Sequence, residues 1–395
     1  MHVPNLMAKF SAAPVLIVLF VARAAAVGES EPIFLELSPC ARANGMGESL
    51  VAVADAELTY FNPAALGLFT LNHLGAIGWS SCQLFENYAL DVPLEHFYIN
   101  LGVDSRKLDP RQFVNVAVAA QYRSQTIDYG ETEGRDENNM PMGIFHSYEH
   151  NRALVFALGL EYGFELGLGG SVGFIRSHLA PQPPSGYGIP DGDRSGRSFD
   201  VGVQLRIPLR KAAQKFWHWD AFEALLPFSL EIAPSFGWAR LNMGEGLGGG
   251  SKPFPEYDRY GAAVALELTC RDVHLFDLLW TRSFADHAVE ENHSGEAFAE
   301  DGWGVEFIVA EMFSYRFGEY STNTPEINRR TFGITAQTIG LTKALYEFRL
   351  KEQNSTSPIL QYLLTHCSLS FNASWWETPN QILEERNWAE IKLIF

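Results

Sequence analysis

The sequence predicts an all-β chain, a transmembrane antiparallel β-barrel. Three observations carry that expectation. Apolar and polar residues alternate over repeated segments of about ten residues, the length of a tilted strand crossing a bilayer. Aromatic residues and glycine are both abundant (28 Phe, 14 Tyr, 9 Trp and 34 Gly in 395 residues), which suits strands joined by many turns. The chain also starts with a leader-like stretch and ends on an aromatic residue.

Taken in order, residues 1–26 (MHVPNLMAKFSAAPVLIVLFVARAAA) read as a secretory signal peptide. Lys9 supplies the positive start, Ala12 to Val21 the apolar run, and the alanines the cleavage site, near Ala24 or Ala26. The run is too short for a membrane-spanning helix. No cysteine follows it closely, so no lipid anchor is expected.

Residues 27–69 form a different kind of segment. Ala41 to Leu66, ARANGMGESLVAVADAELTYFNPAAL, is rich in small residues, and Asn62 is held extended by Pro63. Such a stretch can thread into a narrow lumen, and an N-terminal plug, or hatch, is expected here. Residues 70–395 are assigned to the barrel.

The barrel assignment rests on period two. Phe199, Val201, Val203, Leu205, Ile207 and Leu209 alternate with Asp200, Gly202, Gln204 and Arg206. The same rhythm runs through Val114–Arg123, Ala153–Tyr162, Tyr260–Thr269 and Trp303–Val309. The second face carries mostly small residues and few charges, as a narrow lumen would. The apolar face often ends in an aromatic residue, as an interfacial girdle does. In hydrocarbon only a closed barrel satisfies the backbone of strands.

Polar, acidic stretches at Glu131–Ser147, Pro181–Arg197, Asn242–Asp258 and Asp286–Gly302 read as long loops. Lys211 to Leu226 reads either as an amphipathic helix at the interface or as a surface turn. Residues 70–100 and 355–385 pattern poorly. At the C-terminus, WAEIKLIF places Ile391, Leu393 and Phe395 on one face. That ending resembles the terminal signal read by bacterial barrel-assembly machinery.

Composition narrows the function. A net charge of -18 argues against nucleic acid, whose phosphates need a basic face. The 47% apolar content and mean hydropathy of -0.06 argue against both disorder and a bundle of membrane helices. Cys40, Cys82, Cys270 and Cys367 are far apart and form no CxxC motif; they read as small apolar fillers, with pairing left open.

Chemical motifs are weak. Gly169-Gly170-Ser171-Val172-Gly173 fits G-x-S-x-G, but the following residues do not make the helix a nucleophile elbow needs. GEGLGGGSK (Gly244 to Lys252) lacks P-loop spacing and reads as a loop. His146, His150, His287 and His293 read as solvated surface. No catalytic residue, cofactor or metal is expected, and the chain is not read as an enzyme.

The front segment closely resembles the N-terminal signature of the FadL-like outer-membrane proteins, most closely the PorV/PorQ-type branch. That branch typically reads A-R-A-x-G-M-G, an A-V-A-D-D-A-like run, then N-P-A-G-L. Arg42, Gly45, Met46, Gly47, Ala54, Asp55, Asn62, Pro63, Ala64 and Leu66 match. Glu48 stands in place of a usual glycine, Asp55 is a single acid where two are common, and Ala65 replaces another glycine.

The resemblance implies a barrel of about 14 strands with Arg42, Gly45, Met46, Gly47, Asp55, Asn62, Pro63 and Ala64 in the hatch. It implies an outer-membrane location after leader cleavage, with membrane lipids and the assembly machinery as partners. It also implies one of two functions: a passive channel for hydrophobic small molecules, or a type IX secretion component binding protein cargo at the surface.

Overall fold

The computed structural model describes residues 32–84, 92–107, 114–136, 138–180, 193–217, 228–249, 253–270, 273–291, 297–323, 328–347, 357–377 and 387–395. The leader and His293 lie outside them, as do most of the Pro181–Arg197 stretch and the second half of Lys211–Leu226.

Fourteen strands close into one barrel. They are β1 Gly75–Leu84, β2 Val92–Asp104, β3 Asn115–Arg135, β4 Pro141–Glu161, β5 Glu165–His178, β6 Asp193–Arg206 and β7 Phe228–Gly244. The remainder are β8 Tyr257–Cys270, β9 Val273–Glu291, β10 Ala297–Val309, β11 Phe313–Thr322, β12 Arg329–Gln337, β13 Ser368–Glu377 and β14 Asn387–Ile394. Each pairs antiparallel with its sequence neighbours, and β1 pairs with β14, so no sheet edge is left. The Phe395 N–H and C=O exchange 2.9 Å bonds with Gly75 and complete the closure.

Alternation decides which way each side chain points. Ile77, Trp79, Phe97, Ile99, Val118, Tyr122, Phe156, Phe236, Trp280 and Ile391 are exposed on the outside, an apolar belt suited to hydrocarbon. Leu393 shares that outer face in β14.

One end of the barrel carries Gly75 and Phe395 and has three-residue links at Tyr162–Phe164 and Ala310–Met312; it is the turn end here. The opposite, loop end carries the long β3–β4 hairpin. Both of its strands are 21 residues long, so Glu131–Ser147 is mostly paired strand rather than loop. Backbone pairing continues past the apolar belt because nothing in the polar stretch breaks it.

Four further expectations change. β6 stops at Arg206, and Leu209 opens a helix, Leu209–Trp217. The poorly patterned regions hold β1, β2 and β13; the inner face of β2 carries His96, Tyr98 and Asn100, and that of β13 carries Trp376 beside its serines. Between β12 and β13 lie two helices, Ile339–Leu345 and Pro358–His366, that period-two reading did not find. His287, read as solvated, is buried in β9, stacked on Tyr257 and 3.1 Å from Glu300.

Candidate functional site

Residues 32–71 run inside the barrel as a chain of short turns. They comprise a 3-10 turn at Ile33–Glu36, α1 at Ala41–Asn44, a second 3-10 turn at Glu57–Tyr60 and α2 at Ala65–Thr70. Their small residues leave little side chain between this backbone and the wall. The segment meets β1 through Ser80 and Pro39, β3 through Gln121 and Thr59, and β6 through Val203 and Asn62. It meets β7 through Ser235 and Ala52, β10 through Glu306 and Arg42, β12 through Arg329 and Glu48, and β14 through Lys392 and Asp55. Partners on all sides place it in the lumen.

The wall is shaped to receive it. Inward glycines occur where the segment's backbone touches: Gly159 against Gly67, Gly169 against Pro63, Gly167 against Ala64, Gly237 against Val51 and Gly304 against Met46. A methyl group at any of these would run into backbone. Gly45 lies on Gly333, with no side chain on either.

The Gly47–Glu48 turn needs both residues at positive φ, 60° and 56°. Gly47 accepts this freely and donates its N–H to Thr331 Oγ1 at 2.9 Å. Glu48 does so against its preference. Its carboxylate is offset by a 2.6 Å ion pair with Arg329, while burial pushes its carboxyl up and Arg329 opposes that.

A charged cluster ties the segment's first half to the wall. Arg42 reaches Asp55 at 2.8 Å and Glu306 at 2.7 Å; Glu306 also takes Arg316 at 2.7 Å. Lys392 reaches Asp55 at 3.0 Å and Glu57 at 3.5 Å. Burial alone would raise the Asp55 carboxyl, but Lys392 and Arg42 outweigh it and hold the pKa at about 2. Burial, Glu57 and Glu390 push the Cys40 thiol up.

The second half is held otherwise. The Asn62 amide donates to the Val51 and Val203 carbonyls at 3.0 and 3.1 Å, and its Oδ1 accepts from Ala64 N–H at 3.0 Å. Pro63 and Ala64 sit on the β5 glycines. Asn62 is therefore a cross-brace, a role the extended bias before proline does not contain.

The interior on either side of the segment differs. At the loop end Leu84, Leu94, Ile127, Ile175, Phe254, Trp376 and Trp388 form an apolar cluster packed around Phe34 and Leu35. At the turn end a cavity of about 960 Å³ is lined by Leu68, Leu279, Ile308 and Ile339, but also by Arg42, His73, Glu165, Arg206, His274 and Lys343.

The lumen is thus richer in charge than the small inner-face residues suggest. Arg123–Asp200 and Arg206–Glu165 are further paired examples, at 2.8 and 2.9 Å. Ser171 is one of the wall residues, bonded to Asp200 inside the lumen. The four cysteines are free thiols.

Sequence reading singled out Arg42, Gly45, Met46, Gly47, Asp55, Asn62, Pro63 and Ala64, and all of them line the segment–wall contact. It missed Glu57, Glu306, Arg316, Arg329, Glu390 and Lys392. The available signal was a charge at an inward position of an alternating strand, as at Glu306 in WGVEFIV and Lys392 in EIKLIF.

No family model matches the sequence, and a search of curated proteins found no match. Among solved structures the barrel is similar to the Pseudomonas putida toluene transporter TodX, at 10% identity, covering 94% of this chain and 98% of that one, with a TM-score of 0.41. It is similar to the Ralstonia pickettii toluene transporter TbuX, at 10% identity, covering 91% and 96%, with a TM-score of 0.40. A Pseudomonas aeruginosa FadL homologue is similar at 10% identity, covering 89% and 97%, with a TM-score of 0.37. At these values the likeness is one of general barrel architecture. The class of protein is set by the chain's own geometry: a closed, 14-stranded antiparallel barrel with an apolar outer belt.

Proposed function

We propose that the chain is an outer-membrane barrel acting as a passive channel for hydrophobic small molecules, with residues 27–69 as its plug. The observation that carries this reading is the apolar cluster at the loop end, where Phe34 and Leu35 of the lumen segment pack between inward Leu, Ile and Trp side chains. An apolar solute would find the same contacts there. The segment beneath it reaches strands on all sides, so passage requires its displacement. The polar turn-end cavity then serves as the exit side. The similarity to toluene transporters agrees with this reading without adding weight to it, and the structures named above give no support to a secretion role.

In this reading the outer belt contacts membrane lipids, and Ile391, Leu393 and Phe395 form the signal for barrel assembly. The test is uptake of a labelled long-chain fatty acid and of toluene into proteoliposomes. Intact protein should give slow, saturable uptake, and deletion of Ala41 to Leu68 should give fast, unselective leakage. Equal and negligible flux from both proteins would sink the proposal.

A further inference from the structure

Three side chains converge between the lumen segment and the last strand. Cys40 Sγ and one carboxylate oxygen each from Glu57 and Glu390 lie within 4.8 Å of one another. Cys40 and Glu57 are each 1% exposed and Glu390 3%. The two carboxylates face each other, and no surrounding donor gives either of them a hydrogen bond. Lys392 approaches Glu57 at 3.5 Å, but its shorter contacts go to Asp55.

A second observation points the same way. The Tyr98 hydroxyl, on the inner face of β2, is buried without a partner and lies within electrostatic reach of Glu57, Glu390 and Cys40. The neighbourhood carries one acid more than bases: Asp55, Glu57, Glu306 and Glu390 stand against Arg42, Arg316 and Lys392. Two buried carboxylates without donors are strongly disfavoured unless a cation lies between them.

We propose that Cys40, Glu57 and Glu390 bind one divalent cation of the zinc class, which fastens the lumen segment to β14. The thiolate makes the choice: an all-oxygen site would suit calcium or magnesium, whereas sulfur with two carboxylates suits zinc. Three protein ligands leave a fourth position for water. Binding displaces the thiol proton to solvent. The rival occupant is a single proton shared by the two carboxylates. It would relieve the same excess of charge but would not involve sulfur.

The test uses the full-length protein, folded in detergent, in a background where Cys82, Cys270 and Cys367 are serine. After chelator treatment it is titrated with Zn²⁺, and with Co²⁺ as a spectroscopic stand-in. Uptake of one equivalent is expected, with a thiolate-to-cobalt charge-transfer band in the near ultraviolet. Cys40→Ser should abolish the band, and Glu390→Gln should weaken Zn²⁺ binding by at least about tenfold. Heat-modifiable gel mobility checks that each variant still forms the barrel. Failure to bind one equivalent, or a cobalt spectrum without the thiolate band, overturns the proposal. So does an infrared band of a protonated buried carboxyl that vanishes in Glu390→Gln and persists in the presence of Zn²⁺. None of these readouts depends on whether the barrel conducts.

Discussion

The two halves of the lumen segment are held by different physics. The first half, Cys40 to Glu57, also rests on wall glycines at Met46 and Val51, but ion pairs add to that packing: Arg42 to Glu306, Glu48 to Arg329, Asp55 to Lys392. The second half, Leu58 to Leu71, is fastened by shape: backbone on wall glycines, Asn62 bonded to two carbonyls, and Leu66, Leu68 and Phe69 buried. Charge attachment depends on protonation and can be undone without moving the wall. Close packing has no such handle and fails only when volume is added or removed. Part of the first half's attachment therefore responds to protonation, whereas that of the second half does not.

That contrast can be broken most forcefully at the packed half. Gly169→Val places a branched side chain where Pro63 backbone lies. Seating should lose about 3 kcal/mol or more, seen as rapid proteolysis of the segment while the barrel keeps its heat-modifiable mobility. Retained protease resistance would show that the segment is not seated there.

Next is Arg42→Ala. It removes one partner from both Asp55 and Glu306, though each keeps a second in Lys392 and Arg316. The expected loss is about 2–3 kcal/mol, below the full penalty for stranding a buried charge. Hydrogen exchange should accelerate at Ala41–Asp55 and stay slow at Leu66–Leu71, and uniform acceleration would contradict the division.

Acid should act on the same half. Asp55 has its folded pKa lowered from 3.8 to about 2, so its contribution is fully present above about 4 and disappears as pH falls through about 2. The loss is about 2 kcal/mol, and Glu48, pushed upward by burial, sheds its own penalty above that window. Planar-bilayer conductance of the wild type should rise over that window and that of Asp55→Asn should not.

Glu48→Gly sets two opposing effects against each other: it relieves a positive φ, worth about 1 kcal/mol, and strips Arg329 of its buried carboxylate, which costs more. Its thermal midpoint should fall by the equivalent of about 2 kcal/mol, and a rise would show that the Arg329 pair contributes nothing. Asn62→Ala should cost about 1–2 kcal/mol, from lost hydrogen bonds and two carbonyls left short of donors. It should loosen the second half alone, by hydrogen exchange.

Much of this was legible in one dimension. Phe199 to Arg206 alternate in sequence and alternate in space, because a strand's side-chain period is a property of local backbone geometry. The glycine-rich inner faces were visible as small residues at every second position. The front segment stood out by its small residues and its Asn-Pro. The two helices between β12 and β13 were missed because both are short and a period-two reading does not look for helix caps, although Ser357-Pro358 is one. The β3–β4 extension and the burial of His287 were not legible, because polar residues beyond the apolar belt carry no period that separates strand from loop.

By itself, then, the sequence determined the alternating strands, their inward and outward faces, and a front segment unlike them, since each depends on residues near one another in the chain. Only the tertiary structure decided which wall glycine meets which backbone carbonyl, and that Arg42 would share Glu306 with Arg316 while Asp55 and Glu57 came up against β14. Those pairings join residues up to 337 positions apart, as Asp55 and Lys392 are. They exist only because barrel closure brings the last strand beside the first and wraps both around the segment that precedes them.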